Sequence, residues 1–284
     1  MLSAHRALTR ARQIGVPLPE LPALHDLYSG FYKFRFRGGQ QTMIAGMPGS
    51  QKSGFMIYLV AQWAAMGLPS LYVSADMDQH TATTRLVASL TGHTTESVAQ
   101  GLSAGAEDYY ADLLNNIPAR FMFNPNPSMD DVRDELDAWV EMWDNYPRII
   151  VLDNLLDIIP VAGDNEFTGY KSILLDGKTL ARETGAAVFT LHHMSESGGD
   201  PTKPSSRKFI MGKVSQTPEN VLSVAMNEEL TQFLIAVVKQ RNGPSDATAS
   251  NIVTLAIHPE RNTFERSYDM RVPIRTWQSK ETDD

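Results

Sequence analysis

Residues 46–53, Gly46-Met47-Pro48-Gly49-Ser50-Gln51-Lys52-Ser53, stand between an apolar run over 42–46 and a helical run over 52–66 that Gly67 closes. No other segment constrains the chain as much. Glycines and a proline between a strand and a helix make a tight turn. Its backbone N–H groups and the following helix N-terminus converge on one point, which is an anion site. With Lys52 and Ser53 at its end, the segment follows the phosphate-loop pattern GxxxxGK[ST] except that Gln51 replaces the second glycine. A turn with an incidental lysine is the alternative, and the flanking strand and helix argue against it.

The chemistry expected of this loop is nucleoside triphosphate binding, with ATP and Mg²⁺ as cofactors. Gly46, Pro48, Gly49, Ser50, Gln51, Lys52 and Ser53 form the candidate site. Lys52 reaches the β- and γ-phosphates, and Ser53 turns its hydroxyl to Mg²⁺. Gln51 is tolerated with a negative φ, or else at a cost in backbone strain. The departure bears on turnover more than on binding.

Further along the chain, apolar runs over 70–75, 120–123, 148–152 and 186–191 read as strands. Helical segments at 78–90, 129–144 and 167–184, with two short ones within 94–117, separate them. Ser128 is placed to cap the 129–144 helix, with Asp130 and Asp131 in its first turn. Alternating strand and helix is the pattern of a mostly parallel sheet covered on both faces. After residue 220 the runs 221–229, 231–240 and 251–258 follow with short polar breaks, as edge strands, some antiparallel. Residues 1–13 suggest a short basic helix, and Pro17, Pro19 and Pro22 make 14–23 a linker. The expected organisation is therefore a helix and linker over 1–23 and one α/β domain over 24–284.

Bulk properties narrow the class. The 284-residue chain has no cysteine, so it has no disulfide framework and no thiolate metal site. It has no apolar run long enough to span a membrane, and its first residues lack a signal peptide's apolar stretch, so a cytoplasmic setting is expected. The net charge of −8 is unevenly spread. Residues 61–170 carry 17 acidic and 4 basic side chains, whereas 1–60 and 171–213 are net basic. An acidic exterior with a basic inner surface has this distribution.

Other candidates complete a hydrolytic site. Asp153 ends the apolar run 149–152 and is placed to hold Mg²⁺ through water. Asp76 closes the run 70–75 and suits the orientation or deprotonation of an attacking water. Asp78 is its rival, with helix capping as the plainer role. His192 and His193 end a strand, so they should face opposite ways: one senses a γ-phosphate while the other packs, with a metal site as the alternative. Lys239 and Arg241 have strand spacing and should project together, as an arginine finger toward a neighbouring subunit or as a solvated hairpin end.

Taken in order, GMPGSQKS, YVSADMDQHTATTRLVASLTG, RIIVLDN, AAVFTLHHMS and KQRNGP resemble the C-terminal ATPase domain of DnaB-family replicative helicases, in the RecA superfamily. The resemblance spans roughly residues 14–270. It implies a RecA-like P-loop core and assigns Asp153 to Walker B. It places the catalytic carboxylate at Asp76, where that family has Glu, and the sensor at His193, where it has Gln. Lys239 and Arg241 match its trans-acting basic pair. It also implies a DNA-dependent ATPase working as a homo-oligomer, a hexameric ring around single-stranded DNA. Lys203, Arg207, Lys208 and Lys213 then belong to a Gly/Ser/Pro-rich, mobile DNA-binding loop. The family's N-terminal collar domain has no counterpart, which suggests a stand-alone phage-type relative. Three other functions remain open: a RecA-like recombination factor, a nuclease using Asp130, Asp131, Asp134 and Asp137, and a nucleotide-binding scaffold without turnover.

Overall fold

The computed structural model describes residues 14–105, 107–160, 166–195 and 199–267. The expected basic helix over 1–13 lies outside them. Among the described residues, one nine-stranded sheet organises the chain. Its strands are β1 (Gln41–Gly46), β2 (Ser70–Ser74), β3 (Ala119–Phe123), β4 (Ile149–Asp153), β5 (Ala187–His193), β6 (Asn220–Asn227), β7 (Gln232–Gln240), β8 (Val253–His258) and β9 (Thr263–Arg266). Their order is β3-β2-β4-β5-β1-β6-β7-β8-β9. Pairing is parallel from β3 to β6 and antiparallel from β6 to β9. The expected parallel core with an antiparallel edge is thus present, and β6 belongs to both parts.

The α-helices among the described residues are α1 (His25–Ser29), α2 (Lys52–Ala65), α3 (Gln79–Thr91), α4 (Thr95–Ser103), α5 (Glu107–Asn115), α6 (Met129–Trp143) and α7 (Glu166–Thr184). Strand alternation divides the core into two layers. Ile44, Tyr72, Val151 and Phe189 face α2, meeting Phe55 and Trp63. Met43, Val73, Leu152 and Val188 face the other way, meeting Leu136 of α6 and Leu174 of α7. Strands covered on both faces have no polar side, which is why their sequences are continuous apolar runs.

Residues 14–23, whose prolines suggested a linker, pack together with Leu24 into the first layer. Leu18, Leu21 and Leu24 are buried, Trp63 Nε1 donates to the Pro19 carbonyl at 3.0 Å, and Pro17 bridges to Arg37. The prolines set an extended path along the core.

The parallel register positions the site. Gly46 lies beside His193, and Ser74 beside Asp153. The C-terminal ends of β1, β5, β4 and β2 therefore share one edge, where ligands bind in open α/β sheets.

The C-terminal hairpin is tied to the start of α2. Asn262, in the left-handed turn before β9, donates from Nδ2 to the Gly54 carbonyl at 3.0 Å and to Ser89 Oγ at 2.9 Å, while Ser89 Oγ donates to the Asn262 carbonyl at 2.8 Å. All three residues are buried. Asn262→Gly keeps this backbone conformation accessible but strands the two acceptors. It should lower unfolding stability by ~1–3 kcal/mol, read from the urea midpoint; an unchanged midpoint would mean the hairpin does not brace α2.

Candidate nucleotide site

The turn after β1 is possible because Gly46 lacks a side chain. A Cβ there would stand 2.4 Å from Ser50 Oγ and 2.7 Å from the Val224 carbonyl. Gly49 takes φ +77°, the left-handed region glycine favours. Gln51 takes φ +61° and is the N-cap of α2. The sequence allowed a negative φ or strain, and the strained form is the one found, costing ~1 kcal/mol for a residue with a Cβ. Its amide lies over Gly54, where an added Cβ would come within 2.9 Å of Gln51 Oε1.

Lys52 is buried at the start of α2, and Nζ donates to the carbonyls of Gly46 and Met47, both at 3.1 Å. Burial lowers its pKa to about 8, opposed by the charges of Asp153 and Asp76. Ser53 hydrogen-bonds to Asp153, which accepts from Tyr72 Oη at 2.6 Å. Burial raises the Asp153 carboxyl to about 6, against the pull of both hydroxyls and Lys52.

Tyr72 was not marked by any motif. It sits opposite Val151, two residues from Asp153 on the same face, where a long ring reaches a diagonal neighbour. Its only sequence signal is a tyrosine in a strand that must be fully buried, since a buried hydroxyl needs a partner.

These residues line a cleft of about 250 Å³ that brings together Pro48, Gly49, Gln51, Lys52, Ser53, Asp76, Asp153 and His193. Arg85 of α3 joins them, a cation that no motif marks because it lies well inside an ordinary helix. Asp76 is exposed, just past the end of β2, whereas Asp78 caps α3 by accepting from the Thr81 N–H at 2.9 Å. Helix capping is thus the role of Asp78, and the cleft belongs to Asp76. Ser50 packs behind the loop against Gly46, and its N–H bonds to the Met47 carbonyl at 3.2 Å.

The two histidines face opposite ways, as strand alternation required. His192 is buried, with Nε2 3.0 Å from the Met211 carbonyl. His193 faces the cleft, and its Nδ1 has no partner among the described residues. Burial, then Lys52, lowers its pKa, so the ring is neutral at pH 7. Among the described residues no group of three or more His, Asp or Glu is arranged to hold a metal ion. The acidic run of α6 supports the helix: Ser128 and Asp131 form a capping box, and Asp130 pairs with Arg133 at 3.4 Å.

Lys239 and Arg241 are far from this cleft. β7 runs antiparallel, so Gln240 pairs with Asn220, which pairs with Thr42 at the start of β1. Lys239 and Arg241 project to the same side, toward residues 215–219, but meet different partners there. Lys239 Nζ donates to the carbonyls of Ser215, Gln216 and Pro218, which occupies its three protons. Arg241 stays largely exposed, 3.6 Å from buried Glu219, a carboxylate also met by Lys178 at 3.1 Å and Arg182 at 3.6 Å.

Of the basic segment, Lys203 pairs with Asp200 at 3.3 Å. Lys203, Arg207 and Lys208 line a cleft of about 820 Å³ with Phe209, over whose ring Lys208 Nζ lies at 4.8 Å. Where glycine, serine and proline suggested a mobile loop, 3₁₀ turns occupy Arg207–Phe209 and Met211–Gln216. The Lys213 side chain lies outside the described residues. No helix among the described residues is long and apolar enough to cross a membrane.

A family model described as AAA domain matches residues 14–199. The Gene 65 protein of Mycobacterium phage L5 is 30% identical over 261 residues, covering 90% of this chain and 95% of the phage protein. Its namesake in Mycobacterium phage D29 is 30% identical over 220 residues, 75% and 94% of the two chains. Among solved structures, a DnaB-like replicative helicase superposes with TM-score 0.74 at 16% identity, over 94% of this chain and 67% of the other. A second solved structure, of an ATPase domain on its own, gives 0.73 at 16%, over 92% and 95%. The fold is therefore that of the RecA-like helicase ATPase core which the motifs suggested.

Two substitutions test the loop and the strand-end carboxylate. Gln51→Gly should raise nucleotide-free stability by ~1 kcal/mol by relieving the left-handed backbone; a lower urea midpoint would mean the amide over Gly54 holds the loop in place. Tyr72→Phe removes a hydrogen bond that favours the Asp153 carboxylate. If turnover needs that carboxylate ionised, the acid limb of the rate profile should move upward from about pH 6. Activity should then fall several-fold near that pH and little two units above it, and an unmoved acid limb would remove Tyr72 from this role.

Proposed function

The chain belongs to the AAA-domain family, and on that premise we propose that it is an ATP-hydrolysing, DnaB-type motor that acts on single-stranded DNA as a hexameric ring. The observation that carries the reading is the placement of Arg241. Its guanidinium is exposed at the sheet edge opposite the chain's own cleft. A head-to-tail contact between identical subunits sets one edge against the other, and such heterologous contacts form a ring when the rotation between subunits closes and an open filament when it does not. Arg241 then serves the neighbour's nucleotide rather than its own.

In this reading the loop N–H groups and Lys52 hold the phosphates, and each phosphate oxygen displaces a carbonyl now bonded to Nζ. Ser53 and Asp153 suit Mg²⁺: both are hard oxygen donors, held against each other at the strand end. The ion, when bound, neutralises charge on the β- and γ-phosphates. Asp76, exposed at the cleft, orients the attacking water and takes its proton. His193, which lines the cleft, serves as the γ-phosphate sensor. The neighbour's Arg241 meets the charge that develops as the phosphoryl group leaves, a contact whose loss lowers kcat by about 10³–10⁵-fold. Lys203, Arg207, Lys208 and Lys213 bind the DNA backbone without regard to sequence, with Phe209 as a stacking face.

The first experiment is ATP hydrolysis with and without a single-stranded oligonucleotide. The wild-type rate should rise with DNA, and less so as salt increases. Lys52→Ala should abolish hydrolysis. Arg241→Ala should abolish it while leaving ATP binding intact; normal turnover by that variant would overturn the assignment in trans. A wild-type rate indifferent to DNA would overturn the motor.

A further inference from the structure

The edge of the sheet where β1 begins gathers cations around one carboxylate. The Glu219 side chain is 5% exposed and is fixed there twice. Its backbone N–H donates to the Gln41 carbonyl at 3.1 Å, and its Oε2 accepts from the Gln41 N–H at 3.1 Å. Three cations share the other oxygen, Oε1: Lys178 Nζ at 3.1 Å, a guanidinium nitrogen of Arg182 at 3.6 Å and one of Arg241 at 3.6 Å. One carboxylate cannot balance three cations. Lys239 stands in the same crowd: burial, then the charges of Arg207 and Lys178, lower its pKa to about 8.

The two arginines differ from the two lysines. Both ammonium groups are committed to backbone carbonyls, Lys178 to that of Thr217 at 3.2 Å and Lys239 to those of Ser215, Gln216 and Pro218. At 3.6 Å the guanidinium contacts with Glu219 are longer than a hydrogen bond. The Arg182 and Arg241 side chains are 58% and 59% exposed, and ion pairs so open to water stabilise a fold little. Their planar donor forks are therefore left for a further acceptor, and phosphate oxygens match that fork. Arg182 comes from the last turn of α7, and Arg241 follows the end of β7. Two elements distant in sequence thus bring two guanidiniums to one oxygen.

We propose that Arg182 is a second arginine that this edge presents to the neighbouring subunit's nucleotide, with Glu219 as the positioning residue that sets Arg182 and Arg241 side by side. The proposal rests on the head-to-tail reading that gives Arg241 its role in trans. Where Arg241 meets a phosphate, Arg182 is anchored to the same carboxylate oxygen and meets the same phosphate or the one beside it. Arg182 makes and breaks no bond. Two guanidiniums spread along the phosphates the charge that one would otherwise face alone. Glu219 touches no phosphate; its charge holds together two cations that would otherwise repel each other apart.

The test is steady-state ATP hydrolysis by the full chain, with and without a single-stranded oligonucleotide. Arg182→Gln changes an exposed side chain and should leave the melting temperature unchanged. It should lower kcat at least about tenfold while the KM for ATP stays within about twofold. Arg182→Lys keeps the charge without the fork and should recover only part of the loss. Glu219→Gln keeps an acceptor for the Gln41 N–H and removes the charge, and kcat should fall about threefold to tenfold at an unchanged KM. Mixing chains separates a role in trans from a local one. Lys52→Ala chains keep their arginines and Arg182→Gln chains keep their clefts, so an equimolar mixture that has exchanged subunits should hydrolyse ATP well above the mean of the two alone. A mixture of Lys52→Ala with Arg241→Ala is the reference. Wild-type turnover by Arg182→Gln, or no recovery in its mixture when the reference recovers, would overturn the proposal and leave Arg241 in place. Failure of both mixtures would overturn the reading in trans itself. Loss confined to the DNA-stimulated rate would give Arg182 to nucleic acid instead, and wild-type turnover by Glu219→Gln would remove the positioning role.

Discussion

Gly46 lies so close to the Val224 carbonyl of the next strand that a Cβ would stand 2.7 Å from it. The close approach lets β1 end against β6 and turn at once into the loop that starts α2. The site's other parts are set out from that turn. Lys52 folds back onto the carbonyls of Gly46 and Met47, and Ser53 meets Asp153 across the neighbouring strand ends. His193 lies level with Gly46 in the ladder. A displaced loop would separate groups that converge only at this turn.

Electrostatics in the cleft follow from the same compactness. Lys52 and Asp153 are each pushed toward their neutral forms by burial and drawn back by one another. Tyr72 adds a hydroxyl on the side of the carboxylate. The cleft is therefore poised, with a cation easily discharged and an anion easily protonated, and a polyphosphate would settle the lysine in its charged form.

At the opposite edge the chain concentrates another set of charges. Glu219 is buried beneath Lys178, Arg182 and Arg241, while Lys239 is committed to backbone carbonyls of the 215–218 segment. Two side chains two residues apart at one strand end thus do different work. Lys239 fastens the end of the basic segment to the sheet, and Arg241 is left for whatever approaches that edge. A register shift at Val221/Leu222 of β6, invisible in the spacing, accompanies this difference.

Local chemistry determined much by itself. The strand–loop–helix unit around Gly46–Ser53, the helix over 129–144 with its Ser128 cap, the buried strand ending at Asp153 and the opposed histidines are all local patterns. Periodicity and capping depend on residues a few positions apart, so the linear order reports them. Only the tertiary structure could decide that Tyr72 serves Asp153, that Arg85 faces the cleft, that 14–24 pack as core, that Gln51 takes the left-handed conformation and that Lys239 turns inward. Each depends on which strand lies beside which and in what register. Strand order and register are set by burial summed over the whole sheet, a quantity no single segment carries.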